Sequence, residues 1–368
     1  MGQTLKKRDY SFDAIRGFCM FLIPFQHYLS AREGFHYNGP EGYLYFVIDI
    51  FVMQMFFFLS GYFSKKPERG REIAVKSLLW PLLVVEAGFA MLVVLGFDAH
   101  VSLYRPPFTM WFLLTLFYFR MFHKNYIKIP HIFGIVFVLG MFIGTIPFIN
   151  RDFAISRSIS WMPYFLLGYY CTPEHLKKIR SLKWWQTLSL LAGLLIAVYL
   201  FMRYVPFDHY GAVTMADCNA VLGINWWQGA LMHVILFPVS ILFGIVLLNT
   251  FKNKKSIWTF FGQNTMPIYI FHLGVKYVIM HRGAGFGLFE VPAHDTVLYI
   301  LYVLLLAFMT SVVLASPFGA TLYDIFFVKS YDLLFLFGRK VLVPIGAACE
   351  KVWLLLAPKT ERPNADRQ

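Results

Sequence analysis

Two ionisable side chains, Arg16 and His27, stand on the first hydrophobic segment of the chain. Placing such groups in hydrocarbon is costly, so membrane segments keep them mainly where they serve a function. Eleven residues of α-helix turn by about 1100°, which is three turns plus about 20°, and rise by about 16 Å. The cation near the inner surface and the imidazole near the outer surface therefore share one helix face. This spacing suits the two ends of a site that crosses a membrane.

Each of the two side chains also has a simpler interpretation. Arg16 lies near the start of the segment, so its guanidinium could snorkel to the inner headgroups. His27 could pack between helices instead of acting as a catalytic base. Asp13 precedes Arg16 by three residues, the spacing at which helix side chains meet and pair. The shared face and the Asp13 partner favour a functional site.

Three more ionisable residues fall within predicted spans. His272 is predicted at a depth similar to that of His27, where it could join the site or bond two helices together. Asp49 reaches the same depth from the outer side, and its carboxylate against the second imidazole nitrogen would fix the tautomer of His27. The alternative for Asp49 is a water-exposed cap in the outer leaflet. Glu86, in the middle of the third span, must be neutral, paired or facing water.

The composition predicts an all-α, polytopic integral membrane protein. Hydrophobic residues make up 58% of the 368 residues and charged residues only 14%, with a mean hydropathy of +0.59. Soluble domains typically carry about 25% charged residues. About ten transmembrane helices are predicted, at residues 11–30, 43–63, 77–96, 107–122, 130–149, 158–172, 184–203, 228–250, 256–279 and 296–316.

The net charge of +13 is explained by topology rather than by a nucleic-acid partner. With a cytoplasmic N-terminus, 25 of the 33 Lys and Arg residues fall in inner segments and six in outer segments. The other two, Arg16 and Lys276, lie within spans. The positive-inside rule thus favours a multi-pass topology with both termini in the cytoplasm. The predicted partner of this surface is the lipid bilayer.

The spans organise the chain into one membrane domain, residues 1–316. Residues 317–358 alternate charged and apolar positions in a way that suits helices lying in the interface. An eleventh span at 341–357 would place Glu350 and Lys351 in mid-membrane and is disfavoured. The tail 359–368 is polar and predicted to be disordered. The four cysteines are scattered without a CxxC pair, so no metal site is predicted.

These residues predict a cavity that is basic at the cytoplasmic end and carries imidazole near the outer end. A proton-coupled transporter could use such groups. An enzyme that takes an anionic donor from the cytoplasm and modifies an external acceptor could use them as well. Residue chemistry alone leaves both alternatives open.

The order of motifs resembles the membrane-bound acyltransferase 3 family. Its first span carries an Arg-x10-His motif, found here within FDAIRGFCMFLIPFQH as Arg16 and His27. Four further segments are similar to the family and occur in the expected order: MQMFFFLSGYFSKK (53–66), MWFLLTLFYF (110–119), YFLLGYYC (164–171) and GQNTMPIYIFHL (262–273). The first two motifs look closest to the branch of periplasmic glucan succinyltransferases and sugar O-acetyltransferases.

The resemblance implies an acyl-CoA-dependent O-acyltransferase without a metal. The donor would be acetyl-CoA, or succinyl-CoA as an alternative, and the acceptor a hydroxyl of a sugar or cell-surface glycan. His27 would be the general base, with an acyl-histidine relay as a variant, while Arg16 and Asp13 would orient the donor. Lower-ranked candidates for substrate binding are His272, Asp49, Glu86, Ser60 and Trp111. For Ser60 the alternative is close helix packing, and for Trp111 a place in the outer aromatic belt.

One position departs from the family pattern. Family members usually have an arginine a few residues before a proline at the start of the third span, whereas here Lys76 precedes Pro81 by five residues. A lysine lacks the bidentate fork of arginine, which weakens any expected phosphate contact there. The rival functions are a transporter or flippase of a glycan precursor or small anion, and a structural membrane subunit.

Overall fold

The computed structural model of the protein describes residues 8–32, 35–95, 102, 104–106, 108–149, 152–205, 219, 221–283, 295–338 and 340. In these residues the regular structure is entirely helical, which confirms the predicted all-α class. The chain divides into two compact units, Met1–Leu322 and Tyr323–Gln368. All the candidate site residues lie in the first unit.

Among the described residues up to residue 315 there are thirteen α-helices. They are α1 Tyr10–Leu29, α2 Pro40–Tyr62, α3 Pro67–Ala74, α4 Trp80–Val94, α5 Trp111–Tyr126, α6 Ile132–Phe142, α7 Ile155–Tyr170, α8 Pro173–Ile179, α9 Trp184–Tyr204, α10 Trp226–Thr250, α11 Ile257–Gln263, α12 Thr265–Gly283 and α13 Thr296–Ala315. A π-helical turn, Val75–Leu79, joins α3 to α4, and α14, Pro317–Tyr323, follows α13.

Each of the ten predicted spans coincides with helix among the described residues, with three differences. The span predicted at 130–149 is α-helical only as far as Phe142 and continues in two short 3₁₀ turns. The third span belongs to a continuous helical stretch that begins ten residues earlier, at Pro67. The span predicted at 256–279 breaks at Asn264, whose side-chain Nδ2 donates 2.9 Å to the carbonyl of Phe260. Among the described helices, five are long and apolar enough to cross a membrane by themselves. The count of ten spans therefore stays a prediction.

Helix α1 is at the centre of the first unit. It packs against α2, α11, α12 and α13, and nearly all of its residues are buried. The outer helices have the opposite character, since α4 and α9 bury few of their apolar side chains. Apolar residues on the outside are expected where lipid, and not water, surrounds a protein. The bundle thus encloses the helix that carries Arg16 and His27.

Glycines bring the central helices into backbone contact. A Cβ at Gly262 of α11 would lie 1.7 Å from the carbonyl oxygen of Asp13, and one at Gly17 would lie 1.8 Å from that of Trp258. The crossing of α2 and α7 is built in the same way from Gly61 and Gly168. Small residues permit such close approach between membrane helices.

The second unit contains a π-helical turn, Asp324–Lys329, and α15, Ser330–Phe337. Lys329 and Asp324 form an ion pair at 3.0 Å, and the apolar side chains from Leu333 to Phe337 are exposed. The interfacial placement of 317–358 stays a prediction. The possible span at 341–357 and the tail 359–368 lie outside the described residues.

Candidate active site

The end of the candidate site that is predicted to face the cytoplasm, here called the inner end, is an ion pair on the first turns of α1. Asp9 caps the helix by accepting from the Ser11 backbone N–H at 3.0 Å. Asp13, only 2% exposed, accepts from Arg16 Nη2 at 2.6 Å and from Arg8 Nε at 2.7 Å. The structure thus contains the Asp13–Arg16 pair that the spacing predicts. Two guanidinium groups against one carboxylate leave this end of α1 positively charged.

The Arg16 guanidinium retains an unused donor. Its Nε is buried and has no hydrogen-bond partner within the described part of the chain. The group lies 5.9 Å from the ring centroid of Phe63, at the end of α2. Asp13 holds one edge of the guanidinium, so the remaining N–H groups can bind a further acceptor. Buried polar groups are normally satisfied, so a bound anion would complete this arrangement.

The outer end of the site is a pair of stacked imidazoles. The ring centroids of His27 on α1 and His272 on α12 are 5.3 Å apart, with 28° between the ring planes. His272 is fully buried, and its Nδ1 lies 3.0 Å from the carbonyl oxygen of Ile268, so Nδ1 carries the proton. Its Nε2 has no partner among the described residues. The structure therefore brings together the two histidines that were predicted at similar depth.

Of the two alternatives predicted for Asp49, the contact with His27 is not formed. Its carboxylate accepts from Gln26 Nε2 at 2.9 Å, and the same amide nitrogen lies 3.2 Å from the Tyr45 carbonyl oxygen. Adjacent residues on a helix point about 100° apart, and at this depth α2 faces the Gln26 side of α1. Asp49 therefore binds Gln26, the residue before His27, whereas the His27 imidazole faces α12.

Arg157 covers the ring of Trp111. In the sequence Arg157 is predicted only as one of the charges of the outer segments. The Cζ of Arg157, in the first turn of α7, lies 4.3 Å from the ring centroid of Trp111. Trp161, one turn further along α7, packs edge-on against Trp111 at 5.1 Å. The charge of Arg157 also acts on Asp49. The sequence signal that could have identified Arg157 is its position one helical turn before Trp161.

Lys276 is a second cation near the histidines. It lies four residues after His272 on α12, and its charge acts on both imidazoles. In the sequence Lys276 lies within a predicted span, without a predicted role. Its spacing of one helical turn from His272 is the signal that could have assigned it to the site.

Two predicted residues remain: Ser60, which lies at the inner end of the candidate site, and Glu86, which does not join it. Ser60 Oγ accepts a 3.4 Å hydrogen bond from Arg120 Nη2 of α5, at the same inner end of the bundle as Arg16. Its neighbour Gly61 packs against the α7 backbone, which is the close-packing alternative. Glu86 is on α4, a helix that buries little of its surface, and no hydrogen bond or ion pair joins it to a described residue. The structure does not bring Glu86 to the site.

A sequence profile described as an acyltransferase domain, Acyl_transf_3, matches residues 9–316. The chain belongs to the acyltransferase 3 family. The match begins at the cap of α1 and ends after α13, so this acyltransferase domain contains both ends of the site. Comparisons with curated proteins and with solved structures found no match. The protein is thus a multi-pass membrane acyltransferase by family and by fold.

Proposed function

We propose that this acyltransferase moves an acyl group from cytoplasmic acyl-CoA to a hydroxyl of a glycan outside the inner membrane. Acetyl is the first choice of acyl group and succinyl the alternative, as in the glucan succinyltransferase and sugar O-acetyltransferase branch. The observation that supports this most is the arrangement along α1. A charged guanidinium stands at its inner end, and an imidazole stacked on a second imidazole stands at its outer end.

Arg16 is proposed to bind the donor. Coenzyme A carries phosphate groups and amide carbonyls, and a guanidinium fork binds both kinds of oxygen. Asp13 fixes the guanidinium and leaves its Nε and outer N–H groups for the donor. The acyl-pantetheine arm would then follow α1 for about 16 Å towards His27. Ser60 and Arg120, at the same end, would line the donor entrance.

His27 is proposed as the general base. It takes the proton from the acceptor hydroxyl while the hydroxyl oxygen attacks the thioester carbonyl carbon. The carbon–sulfur bond then breaks, the new ester remains on the sugar, and the coenzyme A thiolate leaves with the proton. A base of this kind typically contributes about 10²–10⁴-fold in rate. In the variant mechanism the acyl group passes through an acyl-histidine at His27.

Two neighbours would assist this step. The Nδ1–H of His272 is held by Ile268, which keeps its ring fixed against His27. Lys276 is proposed to stabilise the negative charge that develops on the thioester oxygen. On the acceptor side, Asp49, Arg157 and Trp111 supply a carboxylate, a cation and an aromatic edge for sugar hydroxyls and ring C–H groups.

The test is His27→Ala with His233→Ala as the matched control. His233 is also a buried histidine, but it lies between α10 and α6, next to Phe137. We expect His27→Ala to lower acyl transfer by about 10²–10⁴-fold, the contribution of a general base. His233→Ala should retain activity. The measurement is mass spectrometry of surface glycans from a deletion strain complemented with each variant, reading the acyl increment.

The outcomes separate the competing functions. Transfer by His27→Ala at the wild-type rate removes the assignment of the base. A deletion strain with unchanged glycan acylation contradicts the proposed reaction. Substrate flux through liposomes without acyl-CoA would support the transporter instead.

A further inference from the structure

One face of α2 carries Asp49, Phe56 and Phe63, which are spaced by seven residues. Seven residues of α-helix turn by about 700°, so these side chains form one stripe along the helix, here named the α2 stripe. Phe63 directly follows α2 and, with φ −87° and ψ −2°, continues its helical course. Ser60, three residues before Phe63, lies on the same side of the helix. The α2 stripe rises by about 21 Å from Phe63 to Asp49.

Both ends of the α2 stripe meet α1. Asp49 accepts a hydrogen bond from Gln26 Nε2 at 2.9 Å, next to His27. At the other end, the Cζ of Arg16 lies 5.9 Å from the ring centroid of Phe63. The α2 stripe therefore follows α1 from the inner end of the candidate site to its outer end.

The middle of the α2 stripe meets α5. The ring centroids of Phe56 and Phe112 are 5.9 Å apart, and Arg120 Nη2 donates to Ser60 Oγ at 3.4 Å. Because Ser60 and Phe63 are three residues apart, Arg120 lies about one helical turn further into the bundle than the Phe63 ring. The inner part of the α2 stripe thus has one guanidinium on its α1 side and another on its α5 side.

Arg120 is a partly buried cation without a carboxylate partner in the described part of the chain. The one hydrogen bond that the described residues give it goes to the neutral hydroxyl of Ser60. Taking a charge out of water is costly unless an opposite charge replaces the lost hydration. The Nε of Arg16 is buried and also has no partner among these residues. Two guanidinium groups with unused N–H donors predict an anionic ligand, and phosphate is the anion that suits their fork.

Phe63 adds an aromatic surface beside these cations. Its ring packs at right angles to Phe12 and Tyr62, with centroids 5.2 Å and 5.3 Å away, yet 56% of the side chain is exposed. Nucleobases of every kind stack on such aromatic surfaces, and arginines beside them bind the phosphates. An exposed phenylalanine next to two unsatisfied arginines therefore matches the base and the phosphates of one nucleotide.

We propose that the inner part of the α2 stripe binds the nucleotide end of acyl-CoA, with the adenine on Phe63 and the diphosphate on Arg120. This inference rests on the proposed function. In coenzyme A the diphosphate stands between the adenosine and the pantetheine arm, and Arg120 likewise lies deeper than Phe63. The donor is then free acyl-CoA. An acyl-phosphopantetheine carried by a protein has no adenine to place on Phe63.

Phe63→Leu tests the adenine contact with two ligands, coenzyme A and 4′-phosphopantetheine, which lacks the adenosine. Isothermal titration calorimetry on the detergent-purified protein measures both affinities. We expect coenzyme A to bind about 5–150-fold more weakly, the range for loss of a base stacked on an aromatic ring. The affinity for 4′-phosphopantetheine should stay at the wild-type value, which also shows that the variant is folded. Phe63→Tyr keeps the ring and should bind coenzyme A like the wild type.

Phe122→Leu is the matched control for loss of an exposed ring. Phe122 is 53% exposed on α5 and follows Arg120 by two residues, so it points about 200° away from Arg120 around the helix. Both ligands should bind this variant as they bind the wild type.

Arg120→Met tests the diphosphate contact, since methionine keeps an unbranched apolar stem and removes the charge. We expect coenzyme A and 4′-phosphopantetheine to bind about 10–100-fold more weakly, the effect of losing a hydrogen bond to a charged group. Pantetheine, which has no phosphate, should compete with coenzyme A as it does in the wild type. Arg69→Met removes an exposed arginine from α3 and should leave all three affinities unchanged.

The outcomes separate this inference from the proposed function. A wild type that binds 4′-phosphopantetheine as tightly as coenzyme A would overturn the nucleotide site and leave the proposed acyl transfer standing. The same holds if Phe63→Leu weakens both ligands equally, or if Arg120→Met weakens pantetheine as much as coenzyme A. A wild type without measurable affinity for coenzyme A would contradict the proposed function itself.

Discussion

At the scale of residues, the inner end of the site is defined by an imbalance of charge. Asp13 is shared by Arg8 and Arg16, so one carboxylate faces two guanidinium groups. A guanidinium held by a buried carboxylate is fixed in position and can offer its remaining N–H groups as a fork. A snorkelling arginine would need no such partner, because headgroups and water would satisfy it.

The substitution Arg16→Lys distinguishes these two roles. Lysine keeps the positive charge but loses the planar fork. We expect acyl transfer to fall by about 10–100-fold, because a hydrogen bond to a charged group contributes about 1.5–3 kcal/mol. Initial rates in membrane vesicles at varied acyl-CoA concentration measure the loss. Arg203→Lys, at the exposed end of α9, is the control, and equal rates for both variants would support simple snorkelling.

Lys276 allows a similar test at the outer end. Lys276→Met keeps the length and apolar stem of the side chain and removes only the charge. If the ammonium stabilises the developing oxyanion, the turnover rate should fall by about 10²–10³-fold, as for loss of an oxyanion-hole donor. Lys254→Met, on the exposed segment after α10, should turn over normally. A normal turnover rate for Lys276→Met would show that Lys276 has no role in catalysis.

At the scale of elements, the site depends on how closely α1 approaches α11 and α12. The short helix α11 presents Gly262 to the backbone of α1 beside Asp13. The break at Asn264 then sets α12 on its own course, along which His272 meets His27. The single straight helix predicted over 256–279 would have no such change of direction. The helix break and the glycine contact together position both ends of the site.

Gly262→Ala tests this contact. Its Cβ would lie 1.7 Å from the Asp13 carbonyl oxygen, so α1 and α11 must separate. Overpacking of this kind typically costs about 1–3 kcal/mol, and we expect a lower Tm together with reduced acyl transfer. Thermal unfolding in detergent measures the first effect. Gly193→Ala, which faces open space, should keep or slightly raise the Tm, and an unchanged Tm in Gly262→Ala would show that the helices are not tightly coupled.

At the scale of the whole molecule, the distribution of exposed side chains matches a bilayer. Tyr204 at the end of α9 is 84% exposed and Val94 at the end of α4 is 85% exposed, while α1 is enclosed. The basic residues are concentrated in the segments predicted to be cytoplasmic. If the predicted topology holds, Arg16 faces the cytoplasm, where the proposed donor is found, and His27 faces the proposed external acceptor.

Cysteine labelling tests that orientation. Cys19 and Cys171 are buried, so single cysteines can be introduced after replacing Cys218 and Cys349 by serine. An impermeant thiol reagent applied to intact cells should label Tyr204→Cys and should not label Arg69→Cys. Both should react after the membrane is opened. The reverse pattern in intact cells would invert the topology and with it the donor and acceptor sides.

The sequence by itself determined the membrane class, the positions of the described helices and the residues that form the two ends of the candidate site. It could do so because apolar stretches of about 20 residues and rare ionisable residues within them are local signals, independent of the partners they will meet. Both the Arg16–Asp13 ion pair and the common depth of His27 and His272 follow from residue spacing within single helices. The assignment to the acyltransferase family also needed only the order of these motifs.

Only the tertiary structure decided which side chains meet across helices. It turned Asp49 to Gln26 instead of His27, placed Arg157 over Trp111, and left Glu86 on a peripheral helix. These outcomes depend on helix rotation and crossing, which are controlled by the backbone contacts of glycines such as Gly61 and Gly168 and by the break at Asn264. Rotation of a helix by one residue, about 100°, changes every such partner without altering the hydropathy of the span.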